Sequence, residues 1–200
     1  MTVATKPRPA TYADLEAVPP NLVAEIIDGA LETHPRPAPR HAGVYVRLGY
    51  ELAGPFDHGR GGPGGWIFMV EPELHLGADV IVPDLAGWRR ETLPHEPDTA
   101  FIAVRPDWVC EIASPSTEWL DRGPKRRIYG EAGVEYLWLI DPRARLMEAF
   151  TRAGGSWLLL ATLGAGDEVR VPPFDAVGFP FDDLFPFDAK SPPETLPGES

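Results

Sequence analysis

Three residues stand out for their chemistry: Asp84, Glu111 and Lys125. Glu111 lies inside the apolar run 107–113, DWVCEIA. In an extended chain Trp108, Cys110 and Ile112 share one face, and Val109, Glu111 and Ala113 the other. Both faces read as buried. A carboxylate isolated there costs several kcal/mol unless a cation or metal meets it. Lys125 belongs to a segment that predicts a helix from Pro124 to Ala132, with proline in the first turn and Gly133 as a left-handed cap. Lys125, Ile128, Tyr129 and Ala132 fall at i, i+3, i+4 and i+7, the face that packs on a sheet. Lys125 therefore leans over the strand that carries Glu111. Asp84 follows Val80-Ile81-Val82-Pro83, where proline interrupts an apolar strand and a side chain emerges at its end.

Two carboxylates, completed by a backbone carbonyl and waters, suit a hard divalent cation such as Mg²⁺ or Mn²⁺. A nearby lysine can orient the attacking water and offset charge that builds on a phosphate. Together these groups describe metal-assisted phosphodiester hydrolysis. The same residues have a plainer reading, in which Glu111 and Lys125 form a buried ion pair without chemistry and Asp84 stabilises a turn.

The elements that must position these groups are legible around them. Residues 107–141 read as strand, loop, helix, strand, the crossover unit of a parallel pair. Upstream, LVAEIIDGALETH predicts a hairpin about Asp28-Gly29, with Glu25 among apolar neighbours on its first strand. That glutamate is either an edge-strand charge facing solvent or a site group. Thr11 caps a short helix before Pro19-Pro20. From Pro39 a helix runs to Gly54-Pro55, with His41, Val44, Tyr45, Leu48 and Leu52 on one face. His41 heads that stripe, as a packed core histidine or as a site residue. The glycine-rich loop 56–65 lacks the lysine and Ser/Thr of a phosphate loop. Residues 66–77 and 78–90 predict two successive strands. Residues flanking Ala153-Gly154-Gly155 predict a second hairpin, and GDEVRVPPF a further short strand.

The chain of 200 residues suits one domain at 11–187, a flexible arm at 1–10 and a disordered acidic tail at 188–200. Its 24 prolines, more than twice the usual roughly 5%, imply rigid loops and short elements. The lone Cys110 excludes an internal disulfide and fits a reducing cytoplasm. No apolar leader or run of roughly 18 apolar residues is present, so a soluble cytoplasmic protein with no membrane partner is expected. A net charge of −12 opposes broad, non-specific nucleic-acid binding. Against that charge, Arg122, Lys125, Arg126 and Arg127 cluster beside the suspected site.

Pro83-Asp84, Glu111-Ile112-Ala113-Ser114-Pro115-Ser116, Asp121, Lys125, Tyr129, Gly133-Val134-Glu135-Tyr136 and Asp141-Pro142 resemble the Uma-two family of restriction-endonuclease-like proteins, within the PD-(D/E)XK nuclease superfamily. The resemblance extends over Glu25-Ile26-Ile27-Asp28-Gly29 and His41, roughly residues 11–186. It implies an α/β fold, a mixed β-sheet flanked by helices with additional β-hairpins, and Asp84 and Glu111 as metal ligands. The superfamily places lysine two residues after the glutamate, where this chain has Ala113; the resemblance implies that the following helix supplies it as Lys125. A Mg²⁺-dependent endonuclease acting on DNA is the expectation, with a catalytically degenerate binding module as its rival. In that picture Glu25 assists as an outer carboxylate, Asp121 or His41 orients groups, and Arg122, Arg126 and Arg127 meet phosphate. A homodimer is expected of a two-strand cutter.

Overall fold

The computed structural model describes residues 8–187. Strands β1 (Leu22–Ile27) and β2 (Ala30–Pro35) form the expected hairpin, with Asp28 and Gly29 both at positive φ. They join β4 (Leu74–Leu76) and β5 (Asp79–Ile81) in a four-stranded sheet of order β2-β1-β5-β4. A six-stranded sheet contains β3 (Trp66–Val70), β6 (Leu85–Arg89), β7 (Trp108–Ile112), β8 (Tyr136–Asp141), β9 (Leu146–Ala153) and β10 (Ser156–Leu163). Its order is β10-β9-β8-β7-β6-β3, antiparallel except for the parallel pair β7–β8. A small pair, β11 (Glu168–Val169) and β12 (Phe179–Pro180), completes the strands among the described residues.

The fold is mixed α and β, and the large sheet is covered on both faces. Trp108, Cys110 and Ile112 pack into one apolar cluster with helix α2 (Pro39–Leu52) and Phe174, Phe181 and Leu184. Val109 points to the other cluster, with Ile128, Tyr129, Leu137, Leu139 and residues of the small sheet. The alternation read from DWVCEIA is thus the alternation found, and both faces are buried. Helix α1 (Tyr12–Glu16) is capped at Thr11, whose N–H and hydroxyl both donate to Asp14. Of the expected arm, residues 8–10 are tied down: Arg8 pairs with Asp14 at 2.7 Å and the Ala10 N–H donates to the Gly29 carbonyl. The remaining arm residues and the expected tail lie outside the described residues.

Three local expectations need correction. The two strands expected over 66–77 and 78–90 are four. They form one long hairpin that bends at Glu71, whose φ is +45°, and at Val82-Pro83-Asp84. Its outer half (β4, β5) joins the small sheet and its base (β3, β6) the large one, because Pro83 cannot donate to a ladder. The helix expected to begin at Pro124 begins earlier, with α3 (Glu118–Leu120), a π-helical turn at Asp121–Lys125 and α4 (Arg126–Ala132), closed by Gly133 at φ +86°. Likewise α2 does not stop at Gly54-Pro55 but runs into a π-helical turn at Ala53–Asp57. In both places the wider π turn accommodates a proline that lacks the N–H of a regular helix.

Candidate active site

Five elements converge where the long hairpin passes from one sheet to the other. Strand β7 supplies Glu111, the hairpin corner Asp84, β1 Glu25, the head of α2 His41, and the π turn Asp121 and Lys125. These side chains are buried or nearly so, and all but Glu25 line a cavity of about 140 Å³ together with Ser114, Ser116, Arg36 and Glu71.

Lys125 is the hub. Its Nζ lies 2.9 Å from Glu111 Oε1, 3.1 Å from Glu25 Oε1 and 3.5 Å from Asp121 Oδ1, and donates to the Val82 carbonyl at 3.2 Å. The π turn makes this possible by placing Asp121 and Lys125 on the same inward side despite the intervening proline. Glu25 is not an edge-strand charge, because β1 lies between β2 and β5. Its Oε1 accepts the Val82 N–H at 2.8 Å and its Oε2 meets His34 Nε2 at 3.3 Å. Glu111 accepts in addition the hydroxyl of Tyr129. Asp84 is fixed by the Ile112 N–H on Oδ2 (2.6 Å) and by His41 Nε2 on Oδ1 (3.0 Å).

Four carboxylates in this small space change one another's chemistry. Burial pushes Glu111 well above the usual carboxylate range; Lys125 opposes this, while Asp121 and Asp84 add to it. Burial likewise raises Asp121 to about 6 against the pull of Lys125, with Asp84 and Glu25 contributing. Burial also raises Glu25, but Lys125, His34 and the Val82 N–H overcome it and bring Glu25 down to about 2. Burial disfavours charge on Lys125, yet Glu111 and Glu25 hold it well above the usual lysine value. Burial lowers His41, but the hydrogen bond to Asp84 and the charges of Asp84 and Asp121 together raise it.

A divalent cation fits the donor set at Asp84 and Glu111. Mg²⁺ is commonly held by one or two carboxylates, with water and substrate phosphate at its other positions. Among the described residues no three His, Cys, Asp or Glu side chains are grouped to enclose an ion by themselves. Asp84 and Glu111 both line the cavity, each from a different element. The buried Nδ1 of His41, beside Asp84, has no hydrogen-bond partner among the described residues.

The three arginines of the sequence pattern face outward, and their partners differ. Arg122 pairs with Glu118 at 2.9 Å and Glu148 at 2.5 Å, and Arg127 with Asp28 at 2.5 Å and Glu131 at 2.7 Å. Arg126 stacks over the Phe150 ring, 4.2 Å from its centroid. Sequence reasoning missed His34, the hydroxyl of Tyr129, Arg36 and Glu71. The hairpin register could have found His34: it pairs with Val23, so it is a diagonal neighbour of Glu25. Tyr129 reads from the sequence as part of the packing stripe and of the family motif, with no role for its hydroxyl.

The chain belongs to the Uma2 family, described as "Putative restriction endonuclease", whose profile matches residues 9–181. None of the curated proteins matches it. A crystal structure of a "putative nuclease belonging to DUF820" from Anabaena variabilis shares the fold, with a TM-score of 0.71 at 20% identity. The similarity covers 88% of this chain and 98% of that one. Among the described residues no helix is long and apolar enough to cross a membrane.

Proposed function

We propose that this chain is an endonuclease that hydrolyses phosphodiester bonds in DNA with Mg²⁺ or Mn²⁺ held by Asp84 and Glu111. One observation carries the reading: in a chain of this family, Asp84, Glu111 and Lys125 come from three separate elements to line a single pocket. Such a cation supplies a more acidic bound water and offsets charge on the phosphate. The chain's own residues do the positioning. His41 and the Ile112 N–H fix Asp84 in one orientation. Glu25 and Asp121 hold Lys125 from behind, so that its charge stands beside Glu111. Lys125 has three N–H groups and close acceptors for all three, so it orients a water only by releasing one of them. Cutting both strands requires two such pockets, which favours a homodimer.

The direct test is conversion of supercoiled plasmid by native protein with Mg²⁺ or Mn²⁺, compared with Glu111→Ala and Asp84→Ala. Both substitutions should remove cleavage; cleavage that persists in Glu111→Ala overturns the assignment. The saturation of Lys125 favours a second reading, a nuclease fold that binds nucleic acid without cutting it. That reading expects no cleavage by native protein and DNA binding unaltered by Lys125→Ala.

A further inference from the structure

The helical segment 118–132 borders a second cavity as well. While Asp121 and Lys125 turn into the carboxylate cluster, their chain neighbours Arg122 and Arg126 line an open groove of about 450 Å³. Arg127, Arg152, Trp157 and Glu131 complete its charged and aromatic lining, so four arginines meet one carboxylate there. In a chain of net charge −12 this is a marked local reversal.

The four arginines are not equivalent. Arg122 and Arg127 are each held by two carboxylates and form wall rather than free charge. Arg126 has no carboxylate partner among the described residues; the Phe150 ring beneath it fixes its guanidinium without neutralising it. Arg152, exposed near the end of β9, likewise has no ion pair among the described residues. Trp157 is anchored by its indole N–H, which donates to the Arg126 carbonyl at 2.9 Å. Gly130 leaves room for that ring, since a Cβ there would lie 3.1 Å from the indole nitrogen. Two unneutralised, planar cations along a groove with an aromatic wall match a run of phosphates.

We infer that this groove binds the sugar-phosphate backbone of the DNA strand whose scissile phosphodiester occupies the carboxylate pocket, with Arg126 and Arg152 as the phosphate contacts. The inference rests on the nuclease reading in placing a phosphodiester in that pocket. Pocket and groove lie on different sides of one helix, roughly 10 Å across, which is about three nucleotides of strand at roughly 3.4 Å each. A strand seated in the pocket therefore reaches the groove only if it extends past the cleavage point.

Length dependence tests this. Fluorescein-labelled single-stranded DNA of about 3 and about 20 nucleotides would be titrated by anisotropy, in chelator and at several salt concentrations. The proteins are native chain, Arg126→Met (which keeps a stem over Phe150), the exposed Arg152→Glu alone, and the double variant. The double variant should bind the long strand about tenfold or more weakly, with a salt slope lower by about 1.4 for two lost phosphate contacts. Affinity for the short strand should not change. Equal loss at both lengths, no loss at the long length, no binding of the long strand by native protein, or displacement of DNA by polyglutamate at matched charge would each overturn the inference. Because chelator removes cleavage, the outcome is separate from the nuclease test: a native chain that binds through the groove but cuts nothing keeps the groove as a backbone site and loses the scissile phosphodiester in the pocket.

Discussion

Asp107 and Glu111 lie four residues apart at β7, both almost wholly buried, at 1% and 2% exposure. Their surroundings are opposite. Asp107 accepts the Arg89 N–H at 2.8 Å and pairs with the guanidiniums of Arg89 and Arg105 at 3.1 and 3.2 Å, while Glu135 takes the remaining charge of Arg89 at 2.9 Å. Two carboxylates there meet two arginines. At the other end Glu25, Glu111 and Asp121 share Lys125, with His34 on Glu25, while Asp84 meets His41 instead. Burial alone does not distinguish these two acids; the local balance of charge does. The Asp107 corner is balanced in charge, and the surplus of acid at the other end is the feature on which the proposed cation site rests.

The largest effect expected is from Lys125→Met, which leaves Glu25 and Glu111 buried with no cation between them. It should lower unfolding free energy by about 3–5 kcal/mol, read from denaturant midpoints. Asp107→Ala comes next, at about 2–3 kcal/mol, because the Arg89 N–H loses its acceptor and two guanidiniums lose a counter-charge. It should leave Mn²⁺ binding intact. Glu111→Gln in metal-free protein should change stability by less than about 1 kcal/mol, because Lys125 keeps Glu25 and Asp121 as partners. If Glu111→Gln costs as much as Asp107→Ala, the two ends are alike and the comparison fails.

A further effect appears in acid. Glu25 is depressed to about 2 from an ordinary 4.5, so its contribution is complete above 4.5 and is lost as pH falls towards 2. Urea midpoints measured down that range should fall less steeply for Glu25→Gln than for native protein. Equal slopes would show that Glu25 is not held by Lys125 as described.

Much of this arrangement was legible because local rules and tertiary packing agree. The alternation around Glu111, the i, i+3, i+4, i+7 spacing of Lys125, Ile128, Tyr129 and Ala132, and the glycine cap at Gly133 all survive into the fold. Proline misled in two places. Pro55 and Pro124 read as helix boundaries, yet each sits inside a π turn whose hydrogen-bond pattern accommodates the missing N–H. The second of these turns Asp121 inward beside Lys125, a placement that regular helical spacing from Pro124 could not supply. Glu25 was ambiguous because an alternating strand does not reveal whether it lies at the edge or in the middle of a sheet. Arg126 was legible as a candidate phosphate contact, but Arg152 was out of reach, since β9 meets α4 only through packing on one face of the large sheet.

The measurement closest to the central claim is a calorimetric titration of Mn²⁺ into native protein, Asp84→Ala, Glu111→Ala and Asp107→Ala, each with and without a short DNA strand. Native protein and Asp107→Ala should bind alike, and the Asp84 and Glu111 variants should not bind. Absence of binding by native protein under both conditions, or binding that survives loss of Asp84 and Glu111, would contradict the assignment of the acid-rich end as a cation site.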